Sequence, residues 1–144
     1  MYKNILVAVD IDDISSVDIL IKKVLEFKKT TPDLQVNFLH IVQTFINLVE
    51  DFFPKEWIDN VQEKSLLELE KIVKKHFGSD KNVSCFAEQG AIYEHIINKA
   101  DELKADLIIV TAHSSDRYDY NLGPNAASVV RYARTSVFVI RGSK

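Results

Sequence analysis

With 144 residues, 47% hydrophobic and 27% charged, the chain has the length and composition of one soluble globular domain with a substantial core. A formal net charge of -3 supplies no basic footprint for nucleic acid or an anionic membrane surface, and no apolar run approaches the roughly 20 residues that cross a bilayer. The single Cys85 excludes an intrachain disulfide. The opening Met1-Tyr2-Lys3-Asn4 runs directly into Ile5-Leu6-Val7 with no cleavable signal pattern, so a cytoplasmic protein is expected.

Strand-like and helix-like segments then alternate. Residues 5–9 form a short apolar run stopped by Asp10. Ile14, Val17, Ile21, Val24 and Leu25 keep helical spacing up to Lys28-Lys29, and Pro32 prevents continuation. Residues 36–42 read as a second strand around Phe38 and Leu39. Phe45, Leu48, Val49, Phe52 and Phe53 follow at roughly helical spacing, with Trp57 beyond. They read as a short core-packing helix, with a flap over a ligand or an added dimer contact as the alternatives. Pro54 suits the first turn of a long helix whose inner stripe is Ile58, Val61, Leu69, Ile72 and Val73, ended by Gly78. Residues 83–87 are a third strand, and Gly90 turns the chain into a helix bearing Ile92, Ile96, Ala100 and Leu103.

The segment from 105 to 141 carries the strongest signal. Leu107, Ile108, Ile109 and Val110 form a continuous apolar run, as in a strand buried on both faces. A polar loop closes on Gly123-Pro124-Asn125. Ala126, Val129, Val130 and Ala133 then share one helix face, and Val137, Phe138, Val139 and Ile140 make a last strand. A strand, a glycine-closed loop and a helix N-terminus together present backbone N–H groups to a phosphate.

The full order, β-α-β-α-β-α-β-α-β, predicts an α/β fold: one doubly wound domain over residues 1–144. Its five-stranded parallel sheet has strand order 3-2-1-4-5 and helices on both faces. Ligands of such sheets bind beyond the strand C-termini where the winding reverses. Asp10 ends strand one and Thr111 ends strand four, so both converge on that crevice.

Residues 2–10 (YKNILVAVD), 38–42 (FLHIV), 88–91 (EQGA) and 105–141 together resemble the universal stress proteins. The resemblance covers nearly the whole chain and is weakest over 43–60; Leu122-Gly123-Pro124-Asn125-Ala126-Ala127 and Val129-Val130-Arg131 are most similar to the F/G-type branch. It implies the same five-stranded sheet and a crevice that in many members binds ATP. The ATP-binding members carry three spaced glycines, the last followed by Ser or Thr. Here Thr111 and Ser114 stand at the first two positions, and eight residues separate Ser114 from Gly123. Pro124 stands where the hydroxyl residue belongs. The F/G-type branch also lacks the first two glycines and has the shortened loop. Pro124 is the sharper departure, because it removes one N–H and one hydroxyl from the phosphate cradle.

On this resemblance the ATP site, with or without Mg²⁺, comprises Ala8, Val9, Asp10, His40, Ile41, Val42, Gly90, Thr111, Ala112, His113, Arg117, Gly123, Pro124, Asn125 and Ala126. Asp10 is placed near the ribose and base, a carboxylate being able to accept from a ribose hydroxyl; its alternative reading is an acceptor or cap for the next helix. His40, Ile41 and Val42 would read the adenine edge through backbone groups. Arg117, with Ser114 and Ser115, is a phosphate contact or simply a solvated loop, since Asp116 and Asp119 partly cancel its charge. Gly90 lies beside the nucleotide in the family, or serves only its turn. His40, His76, His95 and His113 show no zinc-ligand spacing.

The last strand, 136–141, is an apolar edge that invites a second copy, and the family dimerises through it, so a homodimer is expected. Three functions stay in play: an ATP-binding stress-response module without strong catalysis, a dimeric scaffold that binds no nucleotide, and a slow ATPase. The chain has no Walker lysine and no nucleophile elbow, so no catalytic residue is assigned.

Overall fold

The computed structural model describes residues 1–43, 55–112 and 124–141. The element order is β1 (Asn4–Ala8), α1 (Ile14–Thr30), β2 (Gln35–Gln43), α2 (Lys55–Phe77), β3 (Val83–Gly90), α3 (Ile92–Leu103), β4 (Leu107–Thr111), α4 (Pro124–Tyr132) and β5 (Ser136–Ile140). All five strands are parallel, in the order β3-β2-β1-β4-β5. The expected fold and strand order are therefore found. The aromatic run Phe45–Phe53, Pro54, and the loop residues His113, Ser114, Ser115, Arg117 and Gly123 lie outside the described residues.

Successive strand residues feed two different cores, as a period of two requires. On one face, Ile5, Val7, Val36, Phe38, Leu107 and Ile109 pack with Val17, Leu20 and Val24 of α1 and Leu69 and Val73 of α2. On the other, Leu6, Leu39, Ile41, Ile108 and Val110 pack with Ile96 and Ala100 of α3 and Ala126 and Val129 of α4. Each of the buried Val, Leu, Ile and Phe side chains contributes about 1.5–3 kcal/mol of transfer free energy, and the alanines less. The first two crossovers thus cover one face and the last two the other, as right-handed connections on either side of β1 demand.

Two helix phases differ from expectation. Ile14 is 74% exposed, and Leu20, absent from the expected stripe, is buried in its place. Asp13 is the N-cap, its carboxylate accepting from the Ser16 N–H at 3.3 Å, and this start turns Ile14 to solvent. Val130 is 46% exposed; Ala126 and Val129 are the buried residues of α4, and Ala133, just past its end, packs partly buried against the same core. Strands β2 and β3 also run past the apolar segments, to Gln43 and Gly90, because those two residues pair with each other.

The sheet edges are unlike. The bond from Val36 N–H to the Asn82 carbonyl sets the phase of β3, so Val83, Cys85, Ala87 and Gln89 turn their backbone groups outward. α2 attends to that edge: Gln62 Nε2 donates to the Ala87 carbonyl at 2.8 Å, and Asp59 accepts from Gln89 Nε2 at 3.1 Å. On β5, the Ile140 carbonyl accepts from Ala112 N–H at 2.9 Å, so Val137 and Val139 face outward. Their N–H and C=O groups have no partner among the described residues.

Candidate functional site

A cleft of about 470 Å³ opens at the C-terminal ends of β1 and β4, where the winding reverses. Its floor is the strand ends: Ala8 and Val9, Leu39 to Gln43, Val110 and Thr111. One wall is α2, through Val61 and Ser65; the other is α3, through Ile92 and Ile96, one turn apart. Asp10, Asp12, Asn125 and Ala126 complete the lining, the last two from the first turn of α4. The volume and the mostly apolar lining with a few convergent polar groups are those of a small-molecule pocket.

Of the residues expected at the site, Ala8, Val9, Asp10, His40, Ile41, Val42, Thr111, Asn125 and Ala126 are brought together here. Gly90, Ala112 and Pro124 are described and are not among the lining residues. Gly90 has φ +137, and an added Cβ would collide with the His95 ring, which accounts for the glycine structurally. The Ala112 N–H is committed to the Ile140 carbonyl. Pro124 is exposed at the first position of α4, where its ring supplies no N–H.

Asp10 is solvent-exposed at the mouth of the cleft. One of its oxygens accepts from the Asp12 N–H at 3.0 Å, and its backbone carbonyl accepts from Asp13 N–H at 3.0 Å. Of its alternative reading, the loop-acceptor part is met by the Asp12 bond, whereas the helix cap belongs to Asp13. The second Asp10 oxygen has no partner among the described residues, so it is open to a hydroxyl donor or a hydrated cation. Thr111 shares a hydrogen bond with Ser16 between hydroxyls 2.9 Å apart, tying the end of β4 to the first turn of α1.

Asp12, Leu39, Gln43, Val61, Ser65, Ile92, Ile96 and Val110 line the cleft without having been singled out for it. Val61, Ile92 and Ile96 carry the apolar spacing of ordinary core positions. Their signal was the doubly wound topology, which places the helices that follow β2 and β3 on either side of the crevice.

The groups gathered here are of the kinds an adenine nucleotide requires: apolar walls for a base, a carboxylate for ribose hydroxyls, and a helix N-terminus for phosphate. Among the described residues no group of three or more His, Cys, Asp or Glu is arranged to hold a metal ion. No described helix is long and apolar enough to cross a membrane.

The model of the universal stress protein family matches residues 1–141. The chain belongs to that family. It is 26% identical over 145 aligned positions to Universal stress protein G of Escherichia coli O157:H7, covering 98% of this chain and 100% of that protein; the Salmonella typhi protein of the same name matches equally. Among solved structures, hypothetical protein MJ0577, the subject of a structure-based assignment of biochemical function, superposes with a TM-score of 0.80 at 25% identity over 100% of this chain and 99% of its own. A universal stress protein in complex with cAMP superposes with a TM-score of 0.61 at 19% identity, covering 99% and 98%.

Proposed function

We propose that this universal stress protein is an adenine-nucleotide binding module of a cytoplasmic stress response, taking ATP, with Mg²⁺, in the cleft between β1 and β4. The observation that carries this reading is the convergence on one pocket of an open Asp10 carboxylate, apolar helix walls and the N-terminus of α4. The cAMP complex of a structural neighbour supports a purine nucleotide as the ligand class. Asp10 accepts from the ribose, Val9 and residues 40–42 border the base, and Asn125 and Ala126 direct N–H groups at phosphate. Gly123, the residue preceding α4 in sequence, and Arg117 are assigned to the phosphates and His113 to the same site, all three lying outside the described residues. Any Mg²⁺ arriving with the phosphates would offset their charge, with the carboxylates of Asp10 and Asp12 the acidic groups of the cleft.

The module works as a homodimer through residues 136–141. The outward backbone groups of Val137 and Val139 are the reason, since α2 attends to the opposite edge. Phe138, 38% exposed and edge-on to Phe27 at 5.9 Å, adds apolar area beside the seam. Val139→Lys or Val137→Lys should shift the solution mass toward monomer; a wild type that stays monomeric at high concentration removes this part of the proposal.

Calorimetry with ATP and Mg²⁺ tests the binding. Wild type should bind, Asp10→Ala should weaken binding with little effect on the fold, and Gly123→Val should abolish it through its added bulk. A second reading, a dimeric scaffold with no nucleotide, is favoured by Pro124 at the first position of α4. No binding at millimolar ATP selects it, and binding that Gly123→Val leaves unchanged moves the nucleotide elsewhere.

A further inference from the structure

His40 is the one buried side chain among the described cleft residues that carries a ring nitrogen, and it is only 5% exposed. By the two-residue period of β2 its side chain shares the face of Val36 and Phe38, away from Leu39 and Ile41. It therefore lies beneath the turn joining β1 to α1. Its Nδ1 is 3.1 Å from the Val9 carbonyl oxygen and 3.4 Å from the Ile11 amide nitrogen. Those two groups belong to the residues on either side of Asp10. With the proton on Nδ1 the ring donates to Val9; with the proton on Nε2 it accepts from Ile11. Either tautomer ties the same turn.

The remaining bonds of the turn leave Asp10 little freedom. Val9 N–H donates to the Leu39 carbonyl at 2.8 Å, fixing the end of β1. The bonds from Asp12 and Asp13 to Asp10 fold the chain back, and Ile11 anchors it in the core. Among the described residues, His40 is the one side chain of another element that hydrogen-bonds the backbone of this turn. An exposed carboxylate on an otherwise mobile turn pays for ordering when a ligand arrives; a turn already held does not.

We propose that the His40 imidazole is a positioning residue, holding the 9–11 backbone so that the free Asp10 oxygen is presented to the ligand before binding. The proposal rests on the nucleotide reading for its ligand, but the ordering of the turn is a property of the free protein. His40→Asn keeps a polar atom near the place of Nδ1, whereas His40→Leu removes it at similar volume.

Two measurements test it. In the free protein, amide hydrogen exchange at Asp12 and Asp13 should quicken about three- to tenfold in His40→Leu, the equivalent of one lost hydrogen bond, and stay near wild type in His40→Asn. Exchange at Leu6 and Val7 should not change. Unchanged exchange at Asp12 and Asp13 in His40→Leu overturns the proposal whatever the protein binds. In calorimetry with Mg²⁺-ATP, His40→Leu should weaken binding about three- to tenfold in the wild-type background and have no further effect once Asp10 is Ala. Equal weakening in both backgrounds would mean that His40 does not act through Asp10, and overturns it. A wild type that fails to bind ATP, together with quickened exchange in His40→Leu, sinks the nucleotide reading while leaving the turn-holding role standing.

Discussion

Glu88→Gln probes the ion pair that pins α3 to β3. Lys99 is 8% exposed, with its ammonium 3.0 Å from Glu88 Oε2, 3.3 Å from Glu102 Oε2 and 4.2 Å from the centre of the Phe86 ring. Burial alone would lower the Lys99 pKa, but the hydrogen bond and charge of Glu88, aided by Glu102, hold it above its ordinary 10.5. Burial alone would raise the Glu88 carboxyl; hydrogen bonds from His95, 2.8 Å away, and Lys99 hold it below its ordinary 4.5. Taking away the carboxylate leaves the ammonium with Glu102, whose side chain is 67% exposed and well screened. Breaking a buried pair from one side costs about 3–5 kcal/mol, but Glu88 is part-exposed and glutamine keeps a carbonyl acceptor, so about 2 kcal/mol is expected. Adding Lys99→Met removes the stranded charge and should recover most of the loss. Urea unfolding at pH 7 reads both variants.

The sign of the pH dependence follows from the two shifts. The lowered Glu88 pKa contributes stability in full above 4.5, lost as pH falls through the folded value. The raised Lys99 pKa contributes in full below 10.5, lost as pH rises through its folded value. The gap between wild type and Glu88→Gln should therefore be flat from about pH 5 to pH 10 and close on both sides. A loss below about 0.5 kcal/mol at pH 7, or a double variant no better than the single one, refutes the reasoning.

Gly90→Ala should cost about 1–3 kcal/mol from backbone strain at φ +137, with more from the collision with His95, and His95→Ala should relieve only the second part in thermal unfolding. Asp13→Ala should lower stability by about 1 kcal/mol through the lost cap of α1, measured by the same method. Burial, and then the charge of Glu70, push the Cys85 thiol up to about 11. Iodoacetamide should accordingly label the folded protein about tenfold or more slowly than the urea-unfolded chain at pH 8, and equal rates would contradict this.

The strand order was legible because continuous apolar runs alternate with helical spacing, and right-handed crossovers leave few topologies for that alternation. Helix phase was less so: Ile14 and Val130 look like core residues, yet the cap at Asp13 turns Ile14 to solvent, and in α4 the buried face falls on Ala126 and Val129 instead of Val130. At the site, Asp10 and Thr111 could be placed from their positions at strand ends. The roles of their neighbours could not. The bond of Thr111 to Ser16, and that of His40 to the Val9 turn, join residues 95 and 31 positions apart. Such pairings exist only once the sheet is assembled. Gly90 carried a functional reading that its backbone angle and the His95 ring explain structurally.

The proposed occupation of the cleft between β1 and β4 by ATP is tested most directly by a titration of the ¹⁵N-labelled protein with Mg²⁺-ATP. The amide shifts should concentrate at 9–12, 40–43, Thr111, Asn125 and Ala126, and be much reduced in Asp10→Ala. Shifts confined to the outer faces of the helices, or none at millimolar ATP, would contradict it.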